Sequence, residues 1–390
     1  MRVLILGGGE LAREMAAAFH KLSVEVVLAG SAADASPAAS GIHTPTTPRV
    51  AAGAEVDAAV DLRSSGEVLQ LIEKVRPDYV VPLTDQVNPE ALQAAENFTV
   101  VAPSAEAARL TADRETVRDV ATRELALPAT AYHDAATLAE FEVAVGQMGY
   151  PCLVKPLRGG SNHLLVRGEQ DVLAAWEAMA QAEAADGRVL VERFVDFDCE
   201  ITLLAVRSID PATGKLATWF CEPIGYLHGN GEVEECWQPM PMPVKAFDNA
   251  KSMAARVLNR LGGRGLFAVE LFVAEEDVYF SGVCAHPNNT GLVTLTTQRF
   301  SQFDLHARAV LGLPADVTLT SPGACVMFHG ASDFSLDDAV ARALTVPESD
   351  VRLFGQGSGE LGQGMTVALA TAETVATAVD RAKEVAEILR

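Results

Sequence analysis

Short apolar runs alternate with amphipathic stretches from the first residues onward. Val3 to Leu6 is a buried-type run that breaks at Gly7-Gly8-Gly9-Glu10, after which Leu11, Met15, Ala18 and Phe19 recur at helical spacing to about His20. Strand, glycine turn and helix form the opening unit of a parallel sheet. A second run, Val24 to Ala29, follows at once. A helical stretch from Gly66 to Lys74 leads into the strand Asp78 to Pro82, and Phe98 to Pro103 repeats the pattern. Runs apolar on both sides belong to sheets covered on both faces, so residues 1–110 predict an open doubly wound parallel sheet.

The pattern then changes. Thr111 to Glu124 predicts a helix starting at a cap-compatible threonine. A compact unit at about 125–190 holds a helix to Met148, the strand Cys152 to Lys155, a returning strand His163 to Val166 and a helix from Asp171 to Glu183. Val189 to Phe194, Glu200 to Arg207 and Leu216 to Cys221 read as strands. A helix from Ala246 to Leu261 precedes two face-alternating strands, Leu266 to Val273 and Asp277 to Val283. Residues 319–390 form a smaller α/β segment closed by an amphipathic helix, Ala372 to Leu389. The reading is an α/β chain of three parts: 1–110, 111–318 with a small lid at 125–190, and 319–390.

Composition narrows the partners. A formal net charge of −22 repels phosphate backbones, and no basic patch offsets it, so no nucleic-acid partner is expected. No apolar run reaches the length of a membrane span, and the apolar start ends in glycines and a glutamate rather than a secretion signal. A soluble, cytoplasmic protein without a membrane partner is expected. The six cysteines show neither disulfide nor zinc spacing, and His163, His286 and His329 lack a paired ligand spacing. The glycine turn offers backbone N–H groups to an anion, yet the second strand ends Ala29-Gly30 without an acidic residue for a ribose. That excludes NAD and flavin; the glycines otherwise serve a tight turn or a small-substrate crevice.

A nucleotide cleft is the stronger signal. Lys155 ends an apolar strand and precedes a glycine-containing loop, where an ammonium can meet a phosphate. The strand through Glu192 leads to a connector at Val195 whose backbone can read an adenine edge, and the Glu192 carboxylate can accept from a ribose. Glu200 opens the next strand. Glu270 lies between apolar neighbours, and a buried carboxylate requires a partner such as a metal or a base. Ser161 has no placeable histidine and acid, which argues against hydrolase chemistry.

These pieces together resemble the ATP-grasp superfamily, and most closely the formate-dependent phosphoribosylglycinamide formyltransferases of purine synthesis. The resemblance spans essentially the whole chain. It rests on Gly7-Gly8-Gly9-Glu10-Leu11, Asp113-Arg114-Glu115, Gly149 to Pro156, Phe197 to Leu204, Cys236-Trp237-Gln238-Pro239, Gly265 to Val273, Asn289 to Leu295 and Arg352 to Gly355. It implies phosphorylation of formate by ATP and attack of a substrate amine on the formyl phosphate. By position, Arg114, Lys155 and Ser161 would meet phosphates, with Glu192, Val195 and Glu200 as nucleotide contacts. Glu270 and Asn289 would hold Mg2+, and Glu10, Leu11, Asp85, Gln356 and Gln363 would face substrate. A homodimer is implied, or pairing with a homologous active subunit.

The chain departs from the family where the chemistry should be. The family loop of serines and Gly-Lys-Gly is here Arg158 to Leu164, without its lysine. Gly282 stands where the second magnesium carboxylate belongs, His286 at the acyl-phosphate arginine, and Asn288-Asn289 at a His-Asp pair. A lysine and an arginine pair for the ribose phosphate become Gln356, Gln363 and Gly364. A substrate glutamate becomes Leu83, with Asp85 two residues on. Each lost charge-assisted phosphate contact removes about 1.5–3 kcal/mol. These departures predict a non-catalytic or strongly altered member. The alternatives are an active ATP-dependent ligase joining a small carboxylate to a non-phosphorylated amine, and the ordinary formylation.

Overall fold

The computed structural model describes residues 1–31, 58–157, 163–180, 187–229, 232–329, 336–354 and 365–390. The first sheet holds β1 (Arg2–Leu6), β2 (Glu25–Gly30), β3 (Ala58–Ala59), β4 (Tyr79–Pro82) and β5 (Val100–Val101), in the order β3-β2-β1-β4-β5. All its pairings are parallel. Side-chain alternation sends Val3 and Ile5 to the core shared with helix Gly9–Lys21. Leu4 and Leu6 go to the opposite core, under helices Ser65–Val75 and Pro89–Ala95. Both faces are covered, which is the doubly wound sheet that the apolar runs predict.

A small antiparallel sheet of β6 (Tyr132–Ala135), β7 (Cys152–Pro156), β8 (Leu164–Val166) and β9 (Val189–Arg193) follows, in the order β6-β9-β7-β8. Helices Leu138–Met148 and Val172–Ala180 cover it, the first opened by a Thr137–Glu140 capping box. The β7–β8 hairpin is the one expected from Cys152 to Val166.

The largest sheet is antiparallel. Its strands are β10 (Cys199–Ile209), β11 (Leu216–Phe220), β12 (Ile224–Gly229), β13 (Glu232–Gln238), β14 (Gly265–Ala274), β15 (Asp277–Cys284), β16 (Gly323–His329), β17 (Ser349–Leu353) and β18 (Met365–Thr371). The order is β15-β14-β10-β12-β13-β16-β18-β17, with β11 on β10. On β10, Ile201, Leu203 and Ala205 face helix Val244–Leu261, while Leu204 and Val206 face the core shared with the first sheet. Strands β12 and β13 lie in a stretch where the sequence analysis expects no strand, and they join the two halves of this sheet. Among the described residues no helix is long and apolar enough to cross a membrane.

One helix boundary corrects the sequence reading. Thr111 closes a helix, Ala105–Thr111, and its hydroxyl donates back to the Ala107 carbonyl at 3.0 Å. The next helix, Arg114–Asp119, is capped by Asp113, whose carboxylate accepts from the Thr116 N–H at 2.7 Å. The aspartate wins because an ionised acceptor at a helix N-terminus outperforms a hydroxyl. This break points Arg114 toward the site.

The turn from helix Val244–Leu261 into β14 positions Glu270. Gly262 and Gly263 both have positive φ, 73° and 75°. A Cβ on Gly262 would meet nothing within 4 Å, whereas one on Gly263 would lie 2.5 Å from the Ser104 backbone nitrogen. Gly263→Ala is therefore expected to cost about 1–2 kcal/mol and Gly262→Ala about half of that. Thermal unfolding of the two variants checks the order.

Candidate nucleotide and substrate site

A cavity of about 240 Å3 opens where the C-terminal ends of β1 and β4 meet β14, β15 and the start of helix Arg114–Asp119. Its lining includes Leu11, Asp85, Arg114, Glu270, His286 and Asn289. Five chain segments far apart in sequence thus bring six of the expected residues together. Open parallel sheets place ligand crevices at the carboxyl ends of their strands, and this cavity follows that rule.

Beside the cavity lies a buried ionic cluster. Lys155 ends β7 with 9% exposure, and its Nζ is 3.0 Å from Glu192 Oε2 on the neighbouring β9. The other Glu192 oxygen pairs with Arg118, which is 1% exposed. Burial pushes the Glu192 carboxyl up, but Arg118 and Lys155 outweigh it and hold the group down at about 2. Both carboxylate oxygens meet cations, which sets Glu192 at the centre of this cluster. The sequence reading missed Arg118. Its signal was the spacing from Arg114, four residues earlier, which puts both guanidiniums on one helix face.

Glu200 opens β10 half-buried, its Oε2 3.3 Å from His228 Nε2. Burial raises its pKa, and His228 and Lys155 reverse this, so the net shift is downward. His163 stacks edge-on against His228 with ring centroids 4.4 Å apart. Val195 is half-buried in the connector between β9 and β10. Ser161, Gln356, Gln363 and Gly364 lie outside the described residues. Glu10 sits in the first turn of its helix, its carboxyl pushed up by burial against the pull of Arg13, 3.4 Å away.

Glu270 and Gly282 face each other across β14 and β15, with a bulge just beyond. Glu270 Oε2 lies 3.1 Å from where a Cβ on residue 282 would stand, so its carboxylate leans into the space that a side chain there would use. Among the described residues, no group of three or more His, Cys, Asp or Glu is placed to hold a metal. Mg2+ commonly takes one or two carboxylates and completes its shell with phosphates and water. Glu270 satisfies the lower limit, with Asn289 on the same cavity wall. Asn288 is already engaged: its Oδ1 accepts from Thr290 Oγ1 at 2.9 Å and from the Gly291 N–H at 3.2 Å.

His286 behaves differently from a free imidazole. Its Nδ1 is 2.8 Å from the Pro287 carbonyl and its Nε2 is 3.4 Å from Asp85 Oδ1. Burial lowers its pKa, but these two acceptors more than compensate and the net shift is upward. Acceptors on both nitrogens favour the imidazolium. Any charge on this imidazole faces the Asp85 carboxylate. Leu83 points into the core at 6% exposure, under the Gly7 turn. On the same wall, Cys284 is kept protonated by burial and by the nearby Glu270 and Asp85.

The ATP-grasp domain pattern matches residues 120–303, and the C-terminal domain pattern described as PurT, C-terminal, matches residues 322–389. Formate-dependent phosphoribosylglycinamide formyltransferase of Corynebacterium efficiens is 46% identical over 388 residues, 98% of this chain and 93% of that protein. The protein of the same name from Paraburkholderia xenovorans is 43% identical over 396 residues, 100% of this chain and 95% of its own. A solved structure of glycinamide-RNase-transformylase T from Mycobacterium tuberculosis superposes with a TM-score of 0.78 at 36% identity, covering 100% of both chains. Carboxyaminoimidazole ribonucleotide synthase from Aspergillus clavatus, complexed with ATP, reaches 0.81 at 21% identity over 99% of this chain and 97% of that one, a likeness of fold. With full-length identity at this level and both domain patterns in order, the chain belongs to the formate-dependent phosphoribosylglycinamide formyltransferase family of ATP-grasp proteins.

Proposed function

We propose that this chain activates a small carboxylate with ATP and passes the acyl group to an amine. The observation that supports it most is the convergence of Arg114 and Lys155 on Glu192 beside a cavity that also presents Glu270, Asn289 and Asp85. A carboxylate oxygen attacks the terminal phosphorus of ATP and ADP leaves. The amine then attacks the acyl carbon, loses a proton, and phosphate departs. Such chemistry is carried by positioning and charge stabilisation, which Arg114 and Lys155 supply on the phosphate side. Glu270 and Asn289 would hold Mg2+ together with the phosphates, and the ion would neutralise charge there.

The names of the relatives support formate as the acid and phosphoribosylglycinamide as the amine, and this is the first reaction to test. A second reading, a changed acceptor or a lost activity, is favoured by Gly282 and by the closed His286–Asp85 pair. Incubation with magnesium ATP, formate and phosphoribosylglycinamide, followed by ADP release and product mass, separates them. ADP that requires both co-substrates and a formylated product support the first reading. ADP formed only with other small acids and non-phosphorylated amines supports the second. No ADP across a broad panel leaves neither catalytic version standing.

A further inference from the structure

Arg118 is among the most deeply buried charged side chains of the chain, at 1% exposure, and it does not reach the cavity. Its contacts come from three other segments. Nη1 donates to Thr130 Oγ1 at 3.0 Å and to the Phe280 carbonyl at 3.3 Å; Nη2 pairs with Glu192; and the guanidinium carbon lies 5.8 Å from the Tyr132 ring centroid. Fixed on several sides, the guanidinium has no room to leave Glu192. Lys155 is held less firmly. It reaches Glu192 with one ammonium, its side chain keeps 11% exposure against 1% for Arg118, and its Nζ lies 5.8 Å from the Phe272 ring centroid.

Charge balance gives this arrangement a direction. Two buried cations are in direct contact with one carboxylate, with Arg114 and Glu200 farther out, so Glu192 keeps a contact cation when the movable one leaves. Were Glu192 paired with Lys155 alone, a phosphate drawing Lys155 away would leave a buried carboxylate uncompensated, a heavily penalised state. With Arg118 already in place, Lys155 can turn to a phosphate while Glu192 stays neutralised.

We propose that Arg118 is a positioning residue of the nucleotide site, which by permanently compensating Glu192 leaves Lys155 free to bind a nucleotide phosphate. This rests on the nucleotide-cleft reading above. It also assigns Glu192 a role: the carboxylate holds Lys155 at the end of β7 until phosphate replaces it.

The test is calorimetric titration of the full chain with ATP, with and without Mg2+, for the unmodified protein and for R118M, R118K, E192Q and R118M/E192Q, with folding checked by circular dichroism. R118M should weaken ATP binding about tenfold or more, because Lys155 becomes the only cation in direct contact with Glu192. R118K should recover part of the loss. The double variant should return to within about threefold of the unmodified protein, since the competing carboxylate is gone. A merely structural Arg118 would not be rescued in this way.

Unchanged affinity in R118M, or a double variant as weak as R118M, overturns the proposal while the nucleotide reading stands. No ATP binding by the unmodified protein overturns that reading and this proposal with it. Should R118M fail to fold, R118K decides: a partial loss of ATP affinity supports the role, and unchanged affinity refutes it.

Discussion

Gly282→Glu is expected to make ATP binding strongly magnesium-dependent, raising affinity in the presence of Mg2+ at least tenfold over the unmodified protein. The new side chain would start 3.1 Å from Glu270 Oε2, on the residue directly opposite across β14 and β15. The atom in the way is the end of a flexible side chain, so the backbone need not move. Without metal, two carboxylates would share one groove, and their repulsion should lower stability by about 1–2 kcal/mol and raise one of the two pKa values. With metal and nucleotide, the same pair becomes the two-carboxylate support that Mg2+ accepts readily. Gly282→Gln matches the size without the charge and should show neither effect. Thermal midpoints with and without Mg2+, and ATP titrations at fixed Mg2+, read both halves of the prediction. Equal affinity for Gly282→Glu and Gly282→Gln would mean that the ion does not sit beside residue 282.

The parts of this protein legible in the sequence are those governed by local pattern. The runs at Val3, Val24 and Asp78 gave the parallel sheet because a strand buried on both faces must be apolar throughout. Lys155, Glu270 and Asp85 could be singled out because each follows or interrupts such a run. What could not be read was pairing between distant residues. Arg118 looks like an ordinary helical arginine until β9 and β15 bring Glu192 and the Phe280 carbonyl to it from 74 and 162 positions away. His286 looks like a weakened arginine until Asp85, from another sheet, is placed against it. The strands Ile224–Gly229 and Glu232–Gln238 were missed because glycines and glutamates interrupt their alternation; their burial is set by β10 and β16 on either side. In each case the deciding neighbour is distant in sequence, and a substitution there changes meaning with what it faces.

This matters for how the departures from the family are weighed. Taken one at a time, Leu83 and His286 are two losses, a carboxylate and a guanidinium. In the fold they belong together: Leu83 fills the core beneath the Gly7 turn, and Asp85 supplies a carboxylate that His286 holds from the other side. The pair gives this part of the cavity wall one closed contact between opposite charges. Beside Gly282, the Glu270 carboxylate leans into the space that a side chain there would use. The groove between Glu270 and residue 282 is therefore where an added carboxylate should act most strongly.

Acidification from pH 7.5 to 5 is expected to destabilise the protein through His306, and His306→Gln should remove most of that part of the slope. His306 lies on helix Gln302–Val310 with no exposed surface, and its Nδ1 accepts the Leu266 N–H at 3.1 Å. Burial and then the neighbouring His286 charge hold its pKa down at about 3, and a protonated Nδ1 could not accept that bond. The sign follows from which state takes up the proton. Near pH 6.5 the unfolded chain begins to protonate this histidine, while the folded chain resists until about pH 3. Stability from this group is full above about 6.5 and falls as pH drops toward 3, by up to about 1.4 kcal/mol per pH unit. At pH 5 the loss is about 2 kcal/mol, or roughly 4–8 °C in the unfolding temperature of the domain that carries it. Glutamine keeps an acceptor for Leu266 but has no proton to gain, so its own midpoint should change less over the same interval. Glu192 adds little in this window, since its contribution is full above the unfolded carboxyl value of 4.5 and is lost only as pH falls from there toward its folded value of about 2. Calorimetric scans of both proteins at pH 7.5, 6 and 5 give the comparison, and parallel declines would show that His306 accepts its proton without unfolding the helix around it.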